Sequence, residues 1–454
     1  MLSDLFDRFI NASPVTVMIR GLLERLLNPE QLDAWFARTA EKQYTRELLF
    51  STVVELLLQV VCGVRKSVHV AYQAAEPELA VSVQSVYNKL NGLEPGISAA
   101  LVGYAGREAA ALIEELGGER AALLPGYRVK ILDGNCLAAS EHRLKELRQL
   151  NGGALPGKSL VVYDPALGVA SEVFPCEDGH AQERSLLARV LRSVSAGEAW
   201  IADRNFCVRG FLLGIAARQA FFVVREHEQL PWQPLGALRE VGQTETGTMA
   251  EQAIEVFDDA GKAHPWRRIQ VTLKQPTRDG DQTIAILTNL PATVDACTIA
   301  ELYRKRWRIE TAFQEVEKYF ESEINTFGYP RAALFGFCLA LVAYNVLAVV
   351  QAALRHVHNQ EMVDNEISGY YLAEEIGATY RGMMIAIPPP EWQCFQDLSR
   401  AQLAELLVEL AQHIRLSAFR KHRRGPKKPR AKPKYDPKRP HVSTAKLIAA
   451  RRGR

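Results

Sequence analysis

Tyr303, Arg306 and Glu310 stand at a spacing that a helix gathers onto one face, with Lys318 further along. The stretch 303–318 holds no Gly or Pro, so it predicts an unbroken helix. At about 100° per residue the three side chains fall together. They make a carboxylate flanked by a guanidinium and a phenol. A guanidinium suits a phosphodiester because its fork can hydrogen-bond two oxygens at once. A carboxylate beside it can hold a divalent cation against the same phosphate. An amphipathic helix with solvated charges has the same pattern, so the face gains meaning only from its neighbours.

Two upstream segments supply such neighbours. Arg128–Asn135 is a short β-rich run that ends in Asp133 and a turn, and Ala199–Phe206 repeats the design with Asp203. In each, an apolar strand delivers a carboxylate at its carboxyl end, where catalytic groups of α/β sheets gather. Three carboxylates suit two Mg²⁺ ions roughly 3.5–4 Å apart, which activate a water or hydroxyl and stabilise the leaving oxygen of a phosphodiester.

The chain resembles the DDE transposases of bacterial insertion sequences, in the cut-and-paste group with a Tyr-Arg-Glu-Lys signature. The matching pieces are Leu132-Asp133-Gly134, Ala202-Asp203-Arg204-Asn205-Phe206 and Tyr303–Glu310. The resemblance runs from about Tyr127 to Leu354 and implies a ribonuclease-H-like fold. It further implies that Asp133, Asp203 and Glu310 form a catalytic triad holding Mg²⁺ (or Mn²⁺), two ions in number. Tyr303, Arg306, Arg204 and Lys318 would contact DNA. The family's Lys lies seven residues after the Glu; here that place holds Glu317, with Lys318 one step later. The implied partners are double-stranded DNA, both terminal inverted repeats and target, and a second copy of the chain in the DNA complex. Two alternatives are a nuclease of the same fold that cuts without strand transfer, and a catalytically silent DNA-binding descendant.

The elements that position these residues follow a coarse order. Residues 1–120 read as helical and as a DNA-end-binding domain. Within them Ser67–Ala75 and Val81–Leu90 would form two helices joined by a turn around Glu76–Glu78. Ser82, Gln84, Ser85, Asn88 and Lys89 would give the second a polar face able to read bases, or the pair is simple helix packing. Residues 121–225 and 291–360 read as an α/β catalytic domain. Its strands are Arg128–Asp133, Ser159–Asp164, Val169–Pro175, Ala199–Asp203 and Phe221–Arg225, with helices at Ala181–Ser193 and Arg209–Arg218. Residues 226–290 read as a β-rich insertion, 361–419 as a helical C-terminal region, and 420–454 as a disordered basic tail. His180 and Asp164 have ordinary explanations, a cap or surface residue and a turn residue. In related transposases a Trp in the last insertion strand stacks on a flipped base during hairpin formation. Ile284 stands there in this chain, with Trp232 and Trp266 nearby as substitutes.

Composition narrows the class. Hydrophobic residues at 48% and charged residues at 24% of 454 are globular values. The seven Cys form no C-x-x-C pair, so neither a zinc site nor a disulfide framework is indicated and a reducing bacterial cytoplasm fits. Met1–Asp7 has no basic start before an apolar core, so no signal peptide is expected. Residues 332–354 lack formal charge and reach membrane-spanning length, yet Gly336, Tyr344, Asn345 and Gln351 interrupt them. A buried helix beside the catalytic sheet is the better reading, with no membrane contact. The net charge of +3 hides an asymmetry: residues 420–454 hold fifteen Lys or Arg against Asp436 alone. Such a Pro-rich cationic segment cannot build a core and suits DNA phosphates.

Overall fold

The computed structural model describes residues 2–41, 47–76, 79–137, 154–277, 280–324, 327–422 and 442–452. Twelve strands occur among them. They are β1 (Arg128–Leu137), β2 (Ala154–Leu155), β3 (Gly157–Asp164), β4 (Val169–Cys176), β5 (Glu198–Ala202), β6 (Phe221–Arg225), β7 (Gln233–Pro234), β8 (Arg239–Gln243), β9 (Gly247–Phe257), β10 (Ala263–Leu273), β11 (Thr283–Thr288) and β12 (Val442–Ser443). Ten of them form one mixed sheet in the order β4-β3-β1-β5-β6-β11-β10-β9-β7, with β8 also on β9. β1, β5 and β6 run parallel, and β3 and β4 add antiparallel on one side. The segment 226–290 contributes β7 to β11 to this same sheet, joined through β11 on β6.

The alternation of side chains along β1 assigns the two faces. Ile131 enters the large core shared with the helices, while Leu132 enters a second core with Trp200, Phe206, Phe222 and Trp266. Along β5, Ile201 and Ala202 divide the same way. A period of two therefore sends Asp133 and Asp203 to the helical face.

Helix Pro330–Val357 is the centre of that helical layer, and the sheet packs on it through β3 and β4. It is long and apolar enough to cross a membrane, but its most apolar window is wholly buried inside the fold. Its one buried amide explains the polar interruption. Asn345 donates from Nδ2 to Ala170 O at 2.9 Å and accepts at Oδ1 from Ala170 N at 2.8 Å. Ala170 lies on the outer strand β4, so Asn345 satisfies a backbone edge that would otherwise be buried unpaired.

Four expectations need correction. The helix expected over 303–318 is broken into Ala296–Arg304 and Trp307–Tyr319. At the junction Lys305 N donates to Leu302 O and Arg306 N to Tyr303 O, both at 3.0 Å, so three-residue turns replace the α-helical bonds. The helix expected over Ala181–Ser193 shrinks to a 3₁₀ turn, Glu183–Leu186, and one helical turn, Leu187–Val190. Lys89 does not face outward to read bases. Its Nζ donates to Leu48 O and lies 5.3 Å from the Phe36 ring centroid. Finally, the end of the basic tail is structured. Val442–Ser443 pairs with β2, helix Thr444–Arg452 follows, and Ser443 Oγ donates to Asp178 Oδ1 at 2.6 Å. The bulk of the tail, 423–441, lies outside the described residues, as do Pro77 and Glu78 of the expected turn.

Candidate active site

The strand register brings the two Asp residues side by side. Leu132 pairs with Ala202 across the parallel β1–β5 ladder, so the next residue on each strand is an Asp on the same face. Asp203 ends β5 because its Oδ1 accepts from Asn205 N at 2.8 Å and caps the 3₁₀ turn Arg204–Phe206. Asp133 Oδ1 accepts from Gly134 N at 2.9 Å, which aims the other oxygen at the helical layer.

The Glu310 helix docks there on β1, burying Ile309, Ala312 and Val316. Arg306, the N-cap of that helix, reaches across the strand end. Its Nη1 lies 2.9 Å from Asp133 Oδ2 and its Nη2 lies 2.8 Å from Glu310 Oε1. One guanidinium therefore bridges two carboxylates that are 177 residues apart in sequence. Tyr303, from the preceding helix, completes the wall: burial raises its phenol pKa, and the Arg306 and Arg225 charges pull it back.

Burial dominates the electrostatics of the site. Burial pushes the Asp133 carboxyl up to about 6, although Arg306 and the Gly134 N–H oppose this; Asp203 and Glu310 push it further up. Burial alone would lower Arg306, but Asp133, Tyr303 and Glu310 raise it instead. Its Nε is buried with no hydrogen-bond partner, so the guanidinium is only partly satisfied by the protein.

The donor set is oxygen-only, which suits Mg²⁺ or Mn²⁺ and not a soft metal. Among the described residues no three acidic, His or Cys side chains are grouped closely enough to hold a metal ion. The reason is visible: Arg306 lies between Asp133 and Glu310 and supplies the local positive charge. The residues fit a divalent cation provided Arg306 gives up that bridging position, and an added cation would bring the Asp133 carboxyl back down.

The remaining sequence candidates fall as follows. Arg204 is exposed next to Asp203. Lys318 is not brought to the carboxylates. It lies two turns beyond Glu310, about 12 Å along the axis, with Nζ 4.9 Å from the Tyr370 ring. His180 is exposed, and its backbone N–H donates to Asp178 Oδ1 at 3.0 Å. Trp266 is 3% exposed and packs edge-on to Phe222. Trp232 donates to Glu226 and carries Arg268 over its ring. Neither is free to stack on a base. Among the described residues the exposed Trp is Trp307, 62% accessible, with Arg306 Cζ 5.2 Å from its ring. Sequence reasoning passed over it because a Trp in a helical stretch reads as core. It also passed over Glu183, whose Oε2 accepts from Asn205 Nδ2 at 2.5 Å. No spacing marked that residue.

Comparison with known proteins covers the segment that holds these residues. Residues 125–346, which include all three carboxylates, match the model of a family described as the transposase DDE domain. A 203-residue stretch is 27% identical to a protein of Sinorhizobium fredii (strain NBRC 101917 / NGR234) named "Putative transposase y4zB". That stretch is 44% of this chain, and it spans about half (54%) of that relative. Over its central half, the chain is similar to transposases.

Proposed function

We propose that this protein is a DNA transposase that cleaves the ends of its own insertion sequence and joins them to target DNA. The observation that carries the reading is the Arg306 bridge between Asp133 and Glu310, with Asp203 following the paired residue on the neighbouring strand, inside the segment that matches the transposase DDE family. The sheet order also supports a ribonuclease-H-like core. Three antiparallel strands lead into two parallel ones, with Asp133 on the middle strand and Asp203 ending its parallel neighbour.

Asp133, Asp203 and Glu310 would hold the divalent cations. Bound there, Mg²⁺ or Mn²⁺ supplies activation of a water or 3′-hydroxyl and stabilisation of the leaving oxygen. The protein's own residues do the rest. Arg306, once released from its bridge between Asp133 and Glu310, would offer its planar fork to a non-bridging phosphate oxygen pair. Tyr303, packed beside it, fixes the rotamer of that guanidinium and donates to the same phosphate. Exposed Arg204 holds the strand as it leaves the site. The burial that raises Asp133 also keeps bulk water from competing for the phosphate.

Partners follow from the chemistry: terminal repeat duplex, target duplex, and a second copy of the chain when two ends are paired. The test is a strand-transfer assay. Purified protein, Mg²⁺ and a labelled duplex carrying the inverted repeats that flank the gene are incubated with a supercoiled target plasmid. Joined products are expected. Nicked ends without joining would instead support a nuclease of the same fold, and end binding without nicking a silent descendant.

A further inference from the structure

We propose that Glu183 is a positioning residue that clasps together the strand ends carrying Asp133 and Asp203. This rests on the transposase reading above for what those two residues do, but not for the contact itself.

Glu183 opens the short 3₁₀ turn that replaces the expected helix after β4. From there its carboxylate reaches both strand ends at once. Oε2 accepts from Asn205 Nδ2 at 2.5 Å, and the Asn205 backbone N–H donates to Asp203 Oδ1 at 2.8 Å. On the other side Oε1 lies over Gly134, so closely that a Cβ there would sit 2.0 Å from it. Gly134 follows Asp133 directly and its N–H donates to Asp133 Oδ1. The next residue along, Arg184, donates from Nε to Asn205 O at 2.8 Å, so the turn is tied to the Asp203 loop twice.

The arrangement has a physical purpose. β5 stops at Ala202, so beyond it β1 has no ladder partner on that side. Nothing in the sheet itself fixes the separation of the two Asp side chains past the last pairing. Glu183 spans that gap, and a Cβ at 134 would push its carboxylate out of this position. Outer partners of this kind hold ligand geometry and commonly matter by 10–100-fold.

An acceptor oxygen is all that Asn205 requires, which makes Glu183→Gln the informative variant. Glu183→Ala, Glu183→Gln, Asn205→Ala and the Glu183→Ala/Asn205→Ala double variant are compared by two readouts. The first is hydrogen–deuterium exchange of the backbone across 130–137 and 200–206, which needs neither metal nor DNA. The second is the nicking rate on an end-bearing duplex in Mg²⁺, with end-binding affinity measured alongside. Expected results are faster exchange in both segments for Glu183→Ala and about 10–100-fold slower nicking with unchanged end affinity. Glu183→Gln should restore both to within about 3-fold, and the double variant should be no slower than the worse single. Unchanged exchange in Glu183→Ala overturns the clasp. Glu183→Gln as slow as Glu183→Ala with normal exchange also overturns it, because the negative charge itself would then be what matters. Should the wild-type chain nick no duplex, the transposase reading fails while the exchange comparison still decides the clasp.

Discussion

Arg306 Nη1 lies 2.9 Å from Asp133 Oδ2, tying the break between two helices to the carboxyl end of the central strand. Arg306 is the N-cap of the Glu310 helix, immediately after the break. From there one nitrogen reaches β1 while the second stays on Glu310, one helical turn on.

The first prediction concerns that fork. Arg306→Lys keeps the charge but provides a single point donor, which cannot serve Asp133 and Glu310 together or grip a phosphate bidentately. Single-turnover nicking should fall by about 10²–10³, the usual loss when one transition-state donor is removed. Folding should be retained. Nicking within about 3-fold of wild type would remove Arg306 from the chemistry.

A second prediction concerns Trp307. It is the exposed aromatic beside the site, whereas Trp266 and Trp232 are engaged in packing. Stacking on an unpaired base supplies roughly 1–3 kcal/mol. Trp307→Ala should therefore reduce hairpin product on a denaturing gel by about 5–100-fold while first-strand nicking persists. Trp266→Ala should instead lower the melting temperature, since it hollows the second core. Flush double-strand cleavage without a hairpin at any time would show that Trp307 has no such role.

The third prediction separates structure from chemistry. Asp164 is buried, with Oδ2 2.9 Å from Lys130 Nζ and 3.0 Å from Arg128 Nε. Its Oδ1 makes the turn, accepting from Ala166 N at 3.1 Å and Leu167 N at 3.2 Å. Burial pushes its pKa up, but Lys130 and Arg128 together hold it below the ordinary carboxylate value. A depressed pKa means stabilisation present above about pH 4 and lost as pH falls through the folded value. Asp164→Asn leaves Lys130 buried without its counter-charge, which costs about 3–5 kcal/mol. Urea midpoints should show that loss at pH 7 and a smaller gap near pH 3. An equal gap at both would mean the ion pairs contribute nothing net.

These elements differ in how far the sequence announces them. β1 and β5 are legible because an apolar run ends abruptly in Asp, and period-two alternation puts both Asp residues on one face. Helix Pro330–Val357 is legible as a buried helix because its polar residues have somewhere to go; Asn345 finds the β4 edge. The break at Lys305–Arg306 is not legible, since no Gly or Pro marks it and only the three-residue turns of the fold reveal it. Exposed β8 escapes notice because its burial does not alternate. Glu183 is one of 52 acidic residues, and only the fold brings it against Gly134 and Asn205.

The fourth prediction concerns the cationic segment before β12. Fifteen Lys or Arg lie between Arg420 and Arg454, and the strand and helix at the far end dock on Asp178 through Ser443 and Lys446. Truncation would therefore remove an anchor along with the charge. Replacing Lys and Arg at 427–439 with Gln keeps the anchor. Affinity for any duplex should drop and the slope of log K against log salt should flatten by about 0.9 per lost phosphate contact. Discrimination of ends from other DNA should change less. An unaltered slope would assign the segment to something other than DNA.

The most direct measurement is Mg²⁺-dependent nicking of a terminal-repeat duplex by Asp133→Ala, Asp203→Ala and Glu310→Ala, each with its end affinity determined in parallel. Ligands that stabilise charge during displacement do little for ground-state binding, which comes from phosphate and base contacts elsewhere. The account predicts that each of the three loses nicking by at least about 10³-fold while affinity stays within about 3-fold of wild type. Near-wild-type nicking by any one of them would contradict the assignment of these three carboxylates as the catalytic set.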